Sequence, residues 1–105
     1  MSTDRKKSAL SSKIEKEIKI LERHILLLKT VRKEEPIGII RLSELLKLPE
    51  HKVRYSLRIL QQDGIIDPTP EGAVTTPKVR EFLAELTDSL EHFSTAVSTL
   101  RETLK

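Results

Sequence analysis

The chain has 105 residues, enough for one domain and an additional helix but too few for two full domains. It contains no cysteine, which excludes disulfides, thiol nucleophiles and cysteine metal sites, and its aromatic residues are too few for a platform that stacks the bases of single-stranded RNA. The formal net charge of +3 is compatible with a nucleic-acid partner. The longest apolar run, Ile25 to Leu28, is far shorter than a membrane span, and no secretory signal is evident, so we expect a cytoplasmic protein.

The first part of the chain predicts a flexible arm followed by a long helix. Residues 1–11 are polar and lack periodicity, whereas from Ile14 onward apolar residues recur at spacings of four and three, which indicates one stripe along a helix. Ser11 or Ser12 is the expected N-cap, and Pro36 prevents the helix from continuing. A second stripe appears only in the later half, so the first turns need cover from another element. Three basic residues of the arm serve either phosphate contact or solubility: Arg5, Lys6 and Lys7.

The central part predicts a short strand and two short helices. The β-branched run Ile37–Ile40 favours a strand, and residues 42–48 favour a short helix with Ser43 as its cap. A second helix is expected over residues 50–63, and Gly64 stands where a left-handed C-terminal cap favours glycine.

The last part predicts a hairpin and a long helix. Two short β-runs, 65–67 and 73–75, flank a turn rich in Pro and Gly. Thr76 followed by Pro77 is typical of a helix start, so we expect a helix from there to the C-terminus. The expected fold is mainly α with a small β-hairpin.

The second short helix predicts a surface for DNA. Its apolar residues converge with those of the preceding helix on one small core, which leaves its opposite face free. That free face carries Arg, Lys, Gln and Tyr, which contact phosphates or base edges, and residues 41–62 hold five Arg or Lys against two Glu. The predicted contacts are Ser43 near the DNA backbone and, on the second helix, His51, Lys52, Arg54, Tyr55, Arg58 and Gln62.

The apolar pattern of this region also carries a family resemblance. It consists of Leu42-Ser43-Glu44-Leu45-Leu46, Leu48, Val53, Leu57, Leu60 and Gly64-Ile65-Ile66. In this form the chain resembles, over residues 16–80, the winged helix–turn–helix DNA-binding domain of small prokaryotic and archaeal transcriptional regulators. The resemblance implies that residues 50–63 are the recognition helix and that the hairpin is the wing. Two features depart from the family: Lys47 and Pro49 stand where it often has Gly and Ser, and the wing tip lacks Lys and Arg.

The last helix predicts a dimer contact. After Pro77, apolar residues follow steps of four and three without interruption, which is the heptad pattern of a coiled coil. The flanking positions are mostly small and uncharged, which favours a broader helical bundle. Such a helix is about 39 Å long, which is too long for a domain of this size to cover. We therefore expect residues 12–22 and 78–104 of two chains to pack together. The alternative is a helix that folds back on its own domain. The predicted interface residues are Ile14, Ile18, Val79, Leu83, Leu86, Leu90, Phe93, Val97, Leu100 and Leu104.

We expect neither catalysis nor a cofactor. The three histidines, His24, His51 and His92, fall on different helices without metal-ligand spacing, and the three glycines form no phosphate loop. His24 is expected to be a partly buried structural residue, and an effector ligand is left open.

The predicted organisation is a basic arm (1–11), a winged helix–turn–helix domain (12–76) and a dimerisation helix (77–105). The expected function is sequence-specific binding of double-stranded DNA by a homodimeric transcriptional regulator, with no membrane partner. The alternative is a winged-helix scaffold for protein–protein interaction, which the absence of Lys and Arg from the wing tip favours.

Overall fold

The computed structural model of the chain describes residues 7–105 and contains four helices and one hairpin within that range. The fold is mainly α with a small β-hairpin, as predicted. Of the expected basic arm, Arg5 and Lys6 lie outside the described residues. The elements are α1 (Ala9–Glu34), α2 (Ile39–Leu46), α3 (Glu50–Gln62), β1 (Ile66–Thr69), β2 (Gly72–Thr75) and α4 (Val79–Thr103).

Helix α1 begins earlier than the sequence pattern predicted. Ser8 is its N-cap, and the Ser8 hydroxyl oxygen accepts a hydrogen bond from the backbone N–H of Ser11 at 3.0 Å. The prediction of Ser11 or Ser12 as the cap is therefore wrong, and residues 9–11, assigned to the arm, form the first turn of the helix. The same capping chemistry is available one turn earlier, where no proline prevents the helix from starting. The helix ends before Pro36, as expected.

The segment before α2 contributes one bridging residue instead of a strand. The N–H of Ile37 donates to the carbonyl of Ala73 at 3.1 Å, and the N–H of Ala73 donates back at 2.7 Å. Gly38 then serves as the N-cap of α2, so half of the predicted strand, Ile39 and Ile40, is helical and Ser43 lies inside the helix. The predicted strand at 37–40 and the predicted cap at Ser43 are wrong, because only Ile37 pairs with the hairpin and α2 already begins at Ile39.

A tight turn joins α2 to α3. Lys47 adopts the left-handed conformation (φ 54°), which reverses the chain after the last turn of α2. The Ser43 hydroxyl donates to the carbonyl of Leu48, and the N–H of Leu48 donates to the carbonyl of Ser43 at 3.2 Å. These two bonds fix the turn and therefore the angle between the two helices.

One apolar core joins all six elements. Val53 and Leu60 of α3 are buried as predicted, whereas Leu45, also predicted to face the core, is 40% exposed. Helix α2 instead buries Leu42 and packs Leu46 against the core, because these two residues lie one turn apart on the same face. The buried apolar residues are Leu27, Leu28, Val31, Ile37, Leu42, Val53, Leu60, Ile65, Ile66, Ala73 and Val79.

The hairpin follows α3 along the chain and packs against α3 and α1. Gly64, with φ of 74°, ends α3 in the left-handed conformation predicted for it. Strands β1 and β2 pair antiparallel from Ile66 opposite Thr75 to Thr69 opposite Gly72. The Thr76 hydroxyl donates to the carbonyl of Gly64 at 2.6 Å and accepts from the N–H of Lys78 at 3.2 Å. Thr76 therefore joins the end of α3 to the start of α4, where its oxygen pairs with a free backbone N–H as the sequence predicted.

The ends of α1 and α4 extend beyond the core. The N-terminal half of α1 exposes Ile14 and Ile18 by 53% and 54%, and every residue of α4 from Glu91 onward is exposed. The molecule is accordingly elongated, with extents of 54 × 32 × 21 Å. Within residues 7–105, none of the helices combines the length and the apolar character needed to cross a membrane.

Candidate nucleic-acid interface

Helix α3 separates a buried apolar side from an exposed polar side. Val53, Ser56 and Leu60 are buried on the first. The exposed polar side is the one that the sequence predicted. A helical period of 3.6 residues fixes which side chains share a face once the core-facing residues are known. The predicted residues on α3 are all exposed in the structure: His51, Lys52, Arg54, Tyr55, Arg58 and Gln62.

The cations of this face are held only weakly by neighbouring carboxylates. Arg54 Nη2 lies 3.2 Å from Glu50 Oε1 one turn earlier, with both side chains about half exposed (53% and 46%). An exposed pair of this kind contributes at most about 1 kcal/mol, so the guanidinium can exchange Glu50 for another anion. Lys52 and Arg58 have no carboxylate within ion-pair distance in residues 7–105.

Helix α3 is fixed against α1 by one buried polar side chain. Ser56 is fully buried, and its hydroxyl oxygen accepts a hydrogen bond from Arg23 Nε at 3.0 Å. The same hydroxyl lies 2.7 Å from His24 Nδ1 and donates to it when the imidazole is neutral with its proton on Nε2. Burial, and secondarily the charge of Arg23, lower the pKa of His24, which favours that neutral form. His24 is thus the partly buried structural residue that the sequence predicted.

An arginine and a tyrosine extend the same contact toward solvent. The Arg23 guanidinium carbon lies 5.8 Å from the centre of the Tyr55 ring, a cation–π distance. The ring of Tyr55 also lies 5.8 Å from that of His24, tilted by 40°. The sequence pattern singled out neither Arg23 nor Ser56, because a serine on the buried face of α3 needs a partner from α1 that no local spacing reveals.

The hairpin borders the other side of α3 and carries no positive charge. Residues 66–75 include two exposed acidic residues, Asp67 and Glu71, and no Lys or Arg. The Thr69 hydroxyl donates to the carbonyl of Gly72 at 2.6 Å and accepts from the N–H of Glu71 at 3.2 Å, which fixes the tip. The hairpin therefore offers no cation to a phosphate, as the sequence indicated.

Two predicted contact residues have partners inside the chain. Ser43 is half-buried, with its hydroxyl engaged in the turn between α2 and α3. Lys7, from the predicted arm, forms an ion pair with Glu15 of α1 and is the main cause that lowers the pKa of that carboxyl group. In the described part of the chain, no group of three or more His, Asp or Glu residues could hold a metal ion.

The predicted dimer residues of α4 divide into two groups. Val79 is 9% exposed in the core of its own chain, and Leu83 packs against that core, so the prediction of Val79 as an interface residue is wrong. The first turn of α4 is needed to close the domain. Further along, exposure rises from 41% at Leu90 to 62% at Leu100 and 86% at Leu104. Leu86 is partly exposed, and the seam from Leu90 onward, which includes Phe93 and Val97, is open to another chain.

The architecture consists of two short helices joined by a tight turn, a first helix that supports them, and a hairpin directly after the second short helix. The fold is a winged helix–turn–helix. No model of a protein family matches the sequence, and no curated protein matches it. Solved structures do resemble it, and at identities of 17–22% the likeness is one of fold.

Three of these structures illustrate the likeness. The activation domain of the phage T4 transcription factor MotA is 19% identical, with 75% of this chain and 83% of that chain covered and a TM-score of 0.55. A protein of unknown function from Listeria innocua Clip11262 is 17% identical, with 91% and 90% covered and a TM-score of 0.51. Staphylococcus aureus MarR in complex with salicylate and kanamycin is 22% identical, with 76% and 62% covered and a TM-score of 0.49.

Proposed function

We propose that this protein binds double-stranded DNA, with α3 as the recognition helix in the major groove. One observation carries the proposal: α3 follows a helix–turn–helix turn and presents cations, glutamine and tyrosine along an exposed face. The major groove admits a helix of this diameter, and its base edges offer acceptors to Arg and Lys and a donor–acceptor pair to Gln. The proposed contacts are His51, Lys52, Arg54, Tyr55, Arg58 and Gln62, with Ser43 supporting the turn.

We further propose that the DNA-binding form is a homodimer. Both free helix ends carry exposed apolar stripes, and both stripes lead into one groove between α1 and α4. Its apolar lining residues are Ile25, Leu83, Leu86 and Leu90, and basic residues of α1 border them. A two-fold dimer would cover these stripes and present two recognition helices to half-sites about 34 Å apart. The proposed interface comprises Leu86, Leu90, Phe93, Val97, Leu100 and Leu104 of α4 with Ile14 and Ile18 of α1.

The biological role that follows is that of a transcriptional regulator acting on a two-fold symmetric site. The fold supports a regulator, since the MotA domain with the same architecture belongs to a transcription factor. A winged-helix scaffold for other proteins is the second candidate, and the acidic wing, with Asp67 and Glu71 exposed, favours it. A scaffold would not depend on the cations of α3, whereas a DNA-binding protein would.

Duplex binding measured against salt concentration tests the proposal. The variant Arg54→Ala/Arg58→Ala should weaken binding at least about 30-fold, because each lost base or phosphate contact of an arginine is worth about 1–3 kcal/mol. The matched control is Arg80→Ala/Lys105→Ala, which removes the same charge from exposed positions on and just after α4. Equal binding by both variants, or no binding of any duplex by the wild type, would contradict the proposal and leave the scaffold.

A further inference from the structure

A basic groove runs beside α3 on the side away from the wing. It has a volume of about 910 Å³ and separates α3 from the N-terminal half of α1. Five cationic side chains line it, Lys16, Lys19 and Arg23 from α1 and Lys52 and Arg58 from α3, against a single carboxylate, Glu15. The formal charge of the lining is therefore +4, larger than that of the whole chain.

The α1 cations form a distinct face of the helix. Lys16, Lys19 and Arg23 are spaced by three and four residues and therefore share one side, which we call the basic face. Ile14 and Ile18 lie on the opposite side, because two residues correspond to about 200° of helical rotation. The two sides of α1 can thus serve two partners at once, an apolar surface on one and an anion on the other.

The carboxylate in the groove is already compensated. Lys7 pairs with Glu15, and the hydrogen bond from Lys7 is the largest cause that keeps the pKa of Glu15 below its ordinary value. Lys19 lies farther from Glu15, at 3.9 Å, with 71% of its side chain exposed. The negative charge that would otherwise repel a phosphate is therefore balanced by a residue outside the basic face.

The structure also fixes the basic face relative to the recognition helix. Arg23 donates from Nε to Ser56 and lies over Tyr55, so α1 cannot rotate its cations away from α3 without breaking a buried contact. In a duplex, phosphate strands border the major groove on both sides of an inserted helix. One side of α3 presents the basic face and the other the acidic wing, so only the first attracts a strand.

We propose that the basic face of α1 binds the phosphate backbone of the DNA strand that borders the major groove on the side away from the wing. This inference rests on the proposed function and adds to it a second binding surface. The wing, which lacks Lys and Arg, leaves this electrostatic role to α1. Lys16 and Lys19 contact the phosphates. Arg23 positions α1 through its hydrogen bond to Ser56 and also lines the groove.

The test uses Lys16→Gln/Lys19→Gln, which retains long polar side chains and leaves the Arg23 contact intact. The matched control is Arg80→Gln/Lys105→Gln, which removes the same charge outside the groove. The probes are a duplex selected with the wild-type protein from a random pool and a mixed-sequence duplex of about 30 base pairs, long enough for two half-sites. Each lost phosphate contact lowers the slope of log K against log salt by about 0.9, so the slope should fall by about 2 for each bound protomer.

The expected loss of affinity has a defined salt dependence. Two contacts with this slope make binding about 30-fold weaker for each protomer at about 0.15 M salt, and the difference should vanish near 1 M. The loss should be equal on both duplexes, because phosphates carry no sequence information. A thermal unfolding curve like that of the wild type confirms that the variant is folded.

The results separate this inference from the proposed function. If Arg54→Ala/Arg58→Ala loses binding while Lys16→Gln/Lys19→Gln behaves like its control, the basic face is not a DNA contact and the proposed function stands. A loss confined to the selected duplex overturns the inference as well, since it indicates base contact. Tighter binding of single-stranded RNA than of duplex through these lysines also overturns it. No binding of any duplex by the wild type overturns both proposals.

Discussion

Phe93 provides a direct test of the proposed dimer because it lies on the free part of α4. Its side chain is 52% exposed, and it is neither part of the core nor packed against it. The substitution Phe93→Asp should therefore leave the fold of one chain intact. It should destabilise only a contact that the exposed half of α4 makes with another molecule.

The magnitude follows from the exposed fraction. Complete burial of a phenylalanine is worth up to about 3 kcal/mol, so covering the exposed half of Phe93 contributes about 1.5 kcal/mol for each protomer. A two-fold interface contains the residue twice, which gives about 3 kcal/mol, and two desolvated aspartates add to the loss. The dimer should accordingly weaken by at least a hundredfold, taking about 1.4 kcal/mol for each tenfold change.

Light scattering on a size-exclusion column over a range of concentrations measures this effect. The wild type should approach twice the chain mass of 12.0 kDa, and Phe93→Asp should remain near the single mass. Thr95→Asp is the matched control, since it adds the same charge to an exposed position about 200° around the helix. A wild type that is monomeric, or a Phe93→Asp protein that dimerises like the control, would refute the proposed interface.

Two further predictions concern the domain itself. Gly72→Ala should lower Tm by about 10 °C, because φ at this residue is +133° and the new methyl carbon would lie 2.5 Å from the backbone of Ile37. The control, Gly38→Ala, should change Tm little, because the space around Gly38 is open. Equal Tm values for the two variants would contradict this account. Burial is the main cause that lowers the pKa of His24 from its ordinary value of 6.5. Below that pH the unfolded chain therefore binds more protons than the folded chain, so the free energy of unfolding should decrease as pH falls from about 6.5 through the lowered pKa. Urea unfolding at a series of pH values should show this decrease in the wild type and less of it in His24→Gln; identical profiles would exclude His24 as the cause.

The sequence pattern predicted the main features of the candidate interface because they depend on local periodicity. Apolar spacing gave the helices, and Gly64 marked the end of α3. The same spacing indicated that His51, Arg54 and Arg58 share a free face, since residues opposite a buried stripe must point away from the core. Element boundaries were less predictable, because Ser8, Ser11 and Ser12 all offer a capping oxygen and the sequence does not rank them.

Other features depend on contacts between distant segments. The heptad pattern of α4 is continuous from Val79 to Leu104, yet the domain buries Val79 in the first turn and leaves the last turns open. The pairing of Ser56 with Arg23 joins residues 33 positions apart, which no local spacing encodes.

The composition of this chain, its helical periods and its turn residues by themselves determined a small helical domain with a hairpin and a helix, α3, whose free face is basic. The packing of α1 across α3 decided which basic residues stand beside that helix, and the depth of the core decided which part of α4 remains free. The physical reason is that periodicity defines the faces of each helix, whereas the neighbour that covers a face depends on how distant segments pack together.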